Sequence, residues 1–130
     1  MHAVINPVAP RDLLERTRLF ALAVRALCLT LPATDEAQEA GRQLRRAGNS
    51  VRSNYRASRK GRSRSEFEAK LGIACEEADE CVDWLEYLRD TGIRHDPALI
   101  DEAQQITAIL TASHKTAKAN SARIRRVPNS

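Results

Sequence analysis

A run of arginine and lysine residues in the first half of the chain is the feature whose residue types could most directly do chemistry. The run comprises Arg42, Arg45, Arg46, Arg52, Arg56, Arg59, Lys60, Arg62 and Arg64, and no aspartate or glutamate interrupts it. On a helix of about 100° per residue, the members from Arg42 to Lys60 fall within an arc of about 140°, beside an apolar stripe. These members, called the basic face below, could follow a phosphate backbone and predict contact with RNA or DNA.

An acidic stretch that follows directly offers a second interpretation of the same charges. Its members are Glu66, Glu68, Glu76, Glu77, Asp79, Glu80, Asp83, Glu86 and Asp90. Carboxylates on a neighbouring helix, or on another copy of the chain, could pair with the arginines and leave none for a nucleic acid. Because charged runs are commonly solvated helix faces, pairing and nucleic-acid binding are both open at this point.

Residues typical of catalysis or metal binding occur without the partners that their chemistry requires. Glu77 and Glu80 would need Glu-x-x-His pairs on facing helices to hold two metal ions, and the sequence supplies none. The histidines His2, His95 and His114 have no evident nucleophile or orienting acid. We therefore expect no enzymatic activity, no cofactor and no metal site.

Composition and cysteine usage indicate one helical domain in a reducing compartment. The 130 residues are about one domain in length, and one Trp, two Tyr and two Phe favour helices over sheets. Cys28, Cys75 and Cys81 fit neither a zinc ribbon nor a CxxC redox pair, which indicates reduced core thiols. The longest apolar run, 19–31, is interrupted by Arg25 and is shorter than the ~20 residues that span a membrane. These features predict a cytoplasmic protein without membrane contact.

Capping residues and prolines divide the first half of the chain into two predicted helices. The first is expected from Asp12 to Leu31, because Asp12 and Glu15 have the form of a capping box and Pro32 ends the run. Thr34 is the expected N-cap of the second. The inward-facing residues predicted for these helices are Leu13, Thr17, Phe20, Val24, Leu27 and Leu31, then Ala37, Ala40, Leu44, Ala47, Val51 and Tyr55.

Two further helices are predicted in the second half. Ser63 starts the third, and Asp96 before Pro97 starts the fourth, which is expected to end near Ala119. Their predicted inward-facing residues are Phe67, Leu71, Ala74, Ala78, Cys81, Leu85 and Leu88, then Leu99, Ala103, Ile106, Leu110 and Ser113. Short connections make the predicted fold all-α, an antiparallel up-down-up-down four-helix bundle over residues 12–119. An N-terminal extension (1–11) would precede it, and a basic disordered tail (120–130) would follow.

Apolar residues outside these stripes predict self-association. On the third helix a second face is formed by Ile73, Glu77, Glu80, Trp84 and Tyr87, and the first helix adds Leu19, Leu22 and Leu29. A helix with two such faces usually contacts two neighbours, and a second copy of the chain would cover this surface. The alternative is a thick core with a scattered aromatic residue.

Several short segments, taken in order, are similar to those of a known family. They are 43–47 (QLRRA), 50–57 (SVRSNYRA), 65–67 (SEF), 70–74 (KLGIA), 76–80 (EEADE) and 84–88 (WLEYL). The ordered set resembles the four helix bundle protein family, also called the 23S ribosomal RNA intervening-sequence protein family. The resemblance implies an antiparallel four-helix bundle that assembles into a homopentamer, with no established enzymatic activity. Similar bundles serve as accessory proteins of diversity-generating retroelements, where they contact nucleic acid and a reverse transcriptase.

The sequence and the resemblance together predict a non-enzymatic homo-oligomer, a pentamer by resemblance, that presents the basic face to RNA or DNA. A reverse transcriptase is a further partner that the resemblance implies. Contacts would be mostly to phosphates, since stacking aromatics are nearly absent from this face. The alternative function is a protein-interaction scaffold that binds no nucleic acid and uses its charges in subunit contacts.

Overall fold

Four helices form the part of the chain, residues 10–126, that the computed structural model describes. They are α1 (Pro10–Cys28), α2 (Asp35–Arg59), α3 (Arg64–Asp90) and α4 (Pro97–Arg126). Helices that follow one another in sequence pack against each other, and α4 also contacts α1 less extensively. Because each short connection reverses the chain, the fold is the predicted all-α antiparallel four-helix bundle. Within residues 10–126, no helix is long and apolar enough to cross a membrane.

Three helices begin directly after the predicted capping residues. Thr34, Ser63 and Asp96 each accept a hydrogen bond from the backbone N–H three residues further on, at 3.2, 3.0 and 3.0 Å. Each bond satisfies one of the N–H groups that a helix start leaves without an intrahelical acceptor. At the other end of α3, Gly92 adopts a positive φ of 73°, which lets the chain turn towards α4.

The bounds of α1 differ from the prediction at both ends. The helix begins at Pro10 rather than Asp12, because proline is well tolerated in a first helical turn, and Asp12 lies within that turn. It ends at Cys28, and the N–H groups of Thr30 and Leu31 bond to carbonyls three residues earlier, in a tighter turn. The rest of the predicted N-terminal extension, residues 1–9, lies outside the described residues.

The end of α4 corrects a second prediction. The helix continues past Ala119 to Arg126, so the expectation of a disordered tail is wrong for residues 120–126. Ala117 and Ser121 are buried, which gives these last turns a packed side. The basic residues of the last turn also suit a helix C-terminus, where the macrodipole favours cations. Residues 127–130 lie outside the described part of the chain.

The predicted core stripes are confirmed with two exceptions. All the residues predicted to face inward on α1 and α2 are buried, whereas Phe67 on α3 and Ser113 on α4 are half-buried. The contact between α1 and α2 is close: a Cβ atom on Gly48 would lie 3.3 Å from Val24 Cγ1. Glycine at this position therefore lets α1 lie against α2, and this packing brings the first turns of α1 beside the basic end of α2.

Candidate nucleic-acid interface

Two of the three arginines of the basic face near the start of α2 are paired with carboxylates. Arg42 Nη2 lies 2.5 Å from a carboxylate oxygen of Glu39, one helical turn away. Arg46 is held by two carboxylates of α3, those of Glu77, at 2.9 Å, and Glu80. The hydrogen bond with Glu77 is the main reason that the pKa of Arg46 is raised, so this side chain is firmly charged but neutralised by its neighbours.

The half nearer the end of α2 has no such partners. Arg52, Arg56 and Lys60 form no ion pair with any side chain of residues 12–126, and neither does Arg45, which lies between the two paired arginines near the start of the helix. Arg59 differs, because its guanidinium lies over the Phe67 ring, 5.8 Å from the centroid, in a cation–π contact. Arg52, Arg56 and Lys60 recur every four residues and so lie in a line along the helix, here called the basic row.

Two grooves flank the basic row, and all three of its side chains border both of them. The first groove, of about 280 Å³, lies between α1 and α2 and is also lined by Leu14, Glu15, Arg18 and Arg59. The second, of about 440 Å³, lies on the outer side of α2 and is also lined by Asn49, Ser53 and Ala57. The basic row is therefore a cationic ridge between two concave surfaces, an arrangement that could hold an extended polyanion.

The single carboxylate in the first groove is already neutralised. Glu15 accepts hydrogen bonds from Arg18, with an ion-pair distance of 2.6 Å. That hydrogen bonding is the main cause of a lowered pKa for Glu15, which keeps the carboxylate ionised and bound to its partner. The pair reduces the repulsion that Glu15 would otherwise exert on an anion in this groove.

The local chemistry of α2 suits phosphate contact better than base recognition. Tyr55, the aromatic residue of this helix, is buried in the core, so its ring offers no stacking surface next to the basic row. Asn49 and Ser53 are exposed in the outer groove and carry polar groups that can bind phosphate or sugar oxygens. Two exposed cations, Arg62 in the connection after α2 and Arg64 at the start of α3, lie at the same end of the bundle.

The residues predicted as an oligomer interface divide into two surfaces. Leu19 and Leu22 of α1, and Leu29 directly after its end, are 51%, 45% and 67% exposed, and α1 does not neighbour α3 in the bundle. On α3, Ile73 and Tyr87 are exposed, Trp84 is half-buried, and Glu77 and Glu80 bind Arg46. The rings of Trp84 and Tyr87 pack edge to face, with centroids 5.6 Å apart. Among the described residues, no group of three or more His, Cys, Asp or Glu side chains could hold a metal ion.

Sequence reasoning missed a second cationic region, which lies between α3 and α4. A groove there brings Arg64 of α3 together with Lys118, Ser121 and Arg125 of α4. The residues of α4 recur at helical spacing, which is a signal that the sequence contains. It was lost because the pattern runs beyond Ala119, the predicted end of the helix.

Comparisons with known proteins bear on the identity of this fold. A protein of unknown function from the S23 ribosomal protein family of Bacteroides thetaiotaomicron has a similar crystal structure, with a TM-score of 0.75 and 26% sequence identity. The match covers 82% of this chain and 97% of that one. No curated protein matches the chain significantly. The model of a family described as 23S rRNA-intervening sequence protein matches residues 11–112, the greater part of the chain, and the chain therefore belongs to that family.

Proposed function

We propose that this protein is a non-enzymatic nucleic-acid-binding protein that holds RNA or DNA through its phosphates at the basic end of α2. The observation that carries the proposal is the contrast along one helix. Arg42 and Arg46 are paired with carboxylates, whereas the basic row of Arg52, Arg56 and Lys60 has no ion-pair partner among the described residues. Unpaired cations beside open grooves favour a polyanionic partner.

The mechanism is charge neutralisation along a helix. Successive members of the basic row are about 6 Å apart along the axis, since each residue of a helix rises about 1.5 Å. Each cation that contacts a phosphate displaces a condensed counterion, so binding should weaken steeply as salt rises. Without exposed aromatic rings beside the basic row, base sequence should have little influence on affinity.

Salt-dependent titration of a labelled single-stranded RNA tests this proposal. We expect the double variant Arg52→Gln/Arg56→Gln to bind about tenfold more weakly at low salt and to make the negative slope of log K against log salt shallower by about 1.4. The matched control is Arg42→Gln/Arg46→Gln, which removes the same charge from the same helix but only from paired arginines. Negligible binding by the natural protein at low salt, or equal losses in both variants, would contradict a specific role of the basic row.

Self-association is a second proposed property, which rests on a different observation. The exposed leucines of α1 and the Trp84–Tyr87 surface of α3 lie on helices that are not neighbours. Two distinct surfaces on one chain suit a head-to-tail contact, which closes into a ring, and the family resemblance suggests a pentamer. We also propose a cytoplasmic location. It is supported by the free thiols of Cys28, Cys75 and Cys81, which suit a reducing compartment. If subunit contacts consumed the basic row as well, the protein would be a scaffold that does not bind nucleic acid.

A further inference from the structure

The groove between α3 and α4, called the α3–α4 groove below, has a volume of about 580 Å³ and is separate from the basic row. Its polar lining consists of Arg64, Ser65, Glu68 and Glu76 on α3 and His114, Lys118, Ser121 and Arg125 on α4. Gly72 lets α3 and α4 approach each other closely, since a Cβ atom at this position would lie 2.9 Å from His114 Nε2. The imidazole thus packs against the backbone of α3 and delimits one end of the groove.

Ser121 is the residue that singles out this groove. It is 5% exposed, and its Oγ has no hydrogen-bond partner among the described residues. The buried hydroxyls of Thr17 on α1 and Ser58 on α2 behave differently, since each donates to a carbonyl three residues earlier, at 3.1 and 2.6 Å. A buried hydroxyl without a partner is uncommon and destabilising, so Ser121 is a donor that a ligand in this groove could satisfy.

Positive charge accompanies this hydroxyl on both sides of the groove. Arg64, Lys118 and Arg125 form no ion pair with any described side chain, although each lines the same concave surface. Arg64 also belongs to the first turn of α3, where free backbone N–H groups and the helix macrodipole favour an anion. The carboxylates of Glu68 and Glu76 oppose an anion, but the cations that line the groove outnumber them.

We propose that the α3–α4 groove is a binding site for a phosphate group. The Ser121 hydroxyl donates a hydrogen bond to the phosphate, and Lys118, Arg64 and Arg125 supply the compensating charge. A phosphate fits better than a carboxylate, because a tetrahedral group with several acceptor oxygens can meet donors that approach from two helices. The phosphate can come from a nucleic acid that also contacts the basic row, in which case this inference extends the proposed function. It can equally come from a free nucleotide.

Nuclear magnetic resonance titration of the isotope-labelled full chain with inorganic phosphate at low salt tests the site without any polynucleotide. We expect saturable shifts of the Ser121 and Lys118 resonances. Lys118→Gln/Arg125→Gln should weaken phosphate binding by about tenfold. The matched variant Lys115→Gln/Arg123→Gln, which removes the same charge from exposed positions of α4 outside the groove, should leave it unchanged.

Two single variants sharpen the test. Ser121→Ala should raise the melting temperature in the absence of phosphate, because it removes an unpaired buried hydroxyl, and should lose most of the further rise that phosphate gives the natural chain. Glu68→Gln should strengthen phosphate binding, since it removes a repulsive charge from the groove. Shifts spread over the whole surface, or equal losses in the two double variants, would overturn the proposed site.

Parallel titrations identify the source of the phosphate and keep this inference separable from the proposed function. Shifts of Ser121 with adenosine monophosphate but not with an RNA lacking terminal phosphates would assign the site to a free nucleotide. Shifts with that RNA would assign it to the polynucleotide backbone. The Arg52→Gln/Arg56→Gln variant should still bind inorganic phosphate at Ser121. Failure to bind RNA would therefore contradict the proposed function without affecting the phosphate site. The absence of shifts at Ser121 would contradict the phosphate site without affecting the role of the basic row.

Discussion

Arg46 and Arg52 are the same side chain on the same helix, yet only Arg46 is neutralised. Arg46 lies on the side of α2 that meets α3, whose Glu77 and Glu80 carboxylates bind it. Arg52 lies beside the grooves that flank the basic row, next to α1 and solvent. The difference between these two arginines is thus decided by the helix that each position faces, and this follows from the packing of the bundle rather than from residue type.

A prediction at the residue scale concerns Arg46 when its carboxylate partners, Glu77 and Glu80, are removed. The variant Glu77→Gln/Glu80→Gln should bind RNA more tightly than Asp79→Asn/Asp83→Asn, although both remove the same negative charge from α3. Only the first pair frees a guanidinium, and one added phosphate contact should steepen the salt dependence by about 0.7 for single-stranded RNA. Identical affinities and slopes in the two variants would mean that Arg46 takes no part in binding. Salt-dependent fluorescence anisotropy measures the difference.

A second residue-scale prediction concerns the reactivity of the buried thiol. Burial is the main reason that the pKa of Cys81 is raised, with Glu77 and Glu80 adding to the effect. Because the thiolate is the reactive form, Cys81 should resist alkylation at about pH 8 while the protein is folded. Unfolding in guanidinium should make it react at the rate of a free cysteine. Mass spectrometry of peptides from both samples identifies the modified residue, and rapid labelling of Cys81 in the folded protein would show that the bundle opens.

At the scale of elements, the contact of α1 with α2 depends on a small residue. Gly48→Val should reduce the free energy of unfolding by about 2 kcal/mol, because the new side chain would collide with Val24, which is stiff and fully buried. Asn49→Val is the control, since it puts the same β-branched residue at an exposed position of the same helix. Chemical denaturation followed by circular dichroism compares the two. Equal stabilities would indicate that α1 can move away from α2 at little cost.

The elements also show which features the sequence could predict. Thr34, Ser63 and Asp96 were predictable as caps because a cap is a local contact over three residues. The true end of α4 was not, since the burial of Ser121 depends on tertiary packing that composition does not reveal. The sequence also could not show which arginines of the basic face are paired with carboxylates, because the pairing of Arg46 depends on the register of α2 against α3. The α3–α4 groove was not predictable for the first of these reasons, because Ser121 and Arg125 lie beyond Ala119, the predicted end of the helix.

At the scale of the whole molecule, charge is separated between the two ends of the α2–α3 hairpin. The connection between these helices is basic, whereas the opposite end holds a groove of about 450 Å³ lined by Glu36, Glu39, Asp83, Glu86 and Asp90 around Trp84 and Tyr87. The Tyr87 hydroxyl donates to Glu36 at 2.9 Å, a contact that raises the pKa of Tyr87. This separation keeps the carboxylates of the acidic end away from the basic row, so they compete little with a phosphate backbone for its cations.

Assembly itself gives the whole-molecule prediction. If the chain forms the proposed oligomer, Leu22→Lys/Leu29→Lys should convert it to a monomer in multi-angle light scattering, because two charges would be buried in an apolar contact. Ala98→Lys/Ala108→Lys adds the same charge at exposed positions of α4 and should leave the mass unchanged. Circular dichroism checks that both variants fold.

The same pair of variants separates assembly from binding. An oligomer presents several basic rows to one strand, so the monomeric variant should lose RNA affinity despite its added positive charge, by a factor of about 100 where rows act together. An RNA affinity that rises with the added lysines would instead show that each chain binds alone. If the natural chain is already a monomer, the exposed leucines have another partner and the ring is excluded.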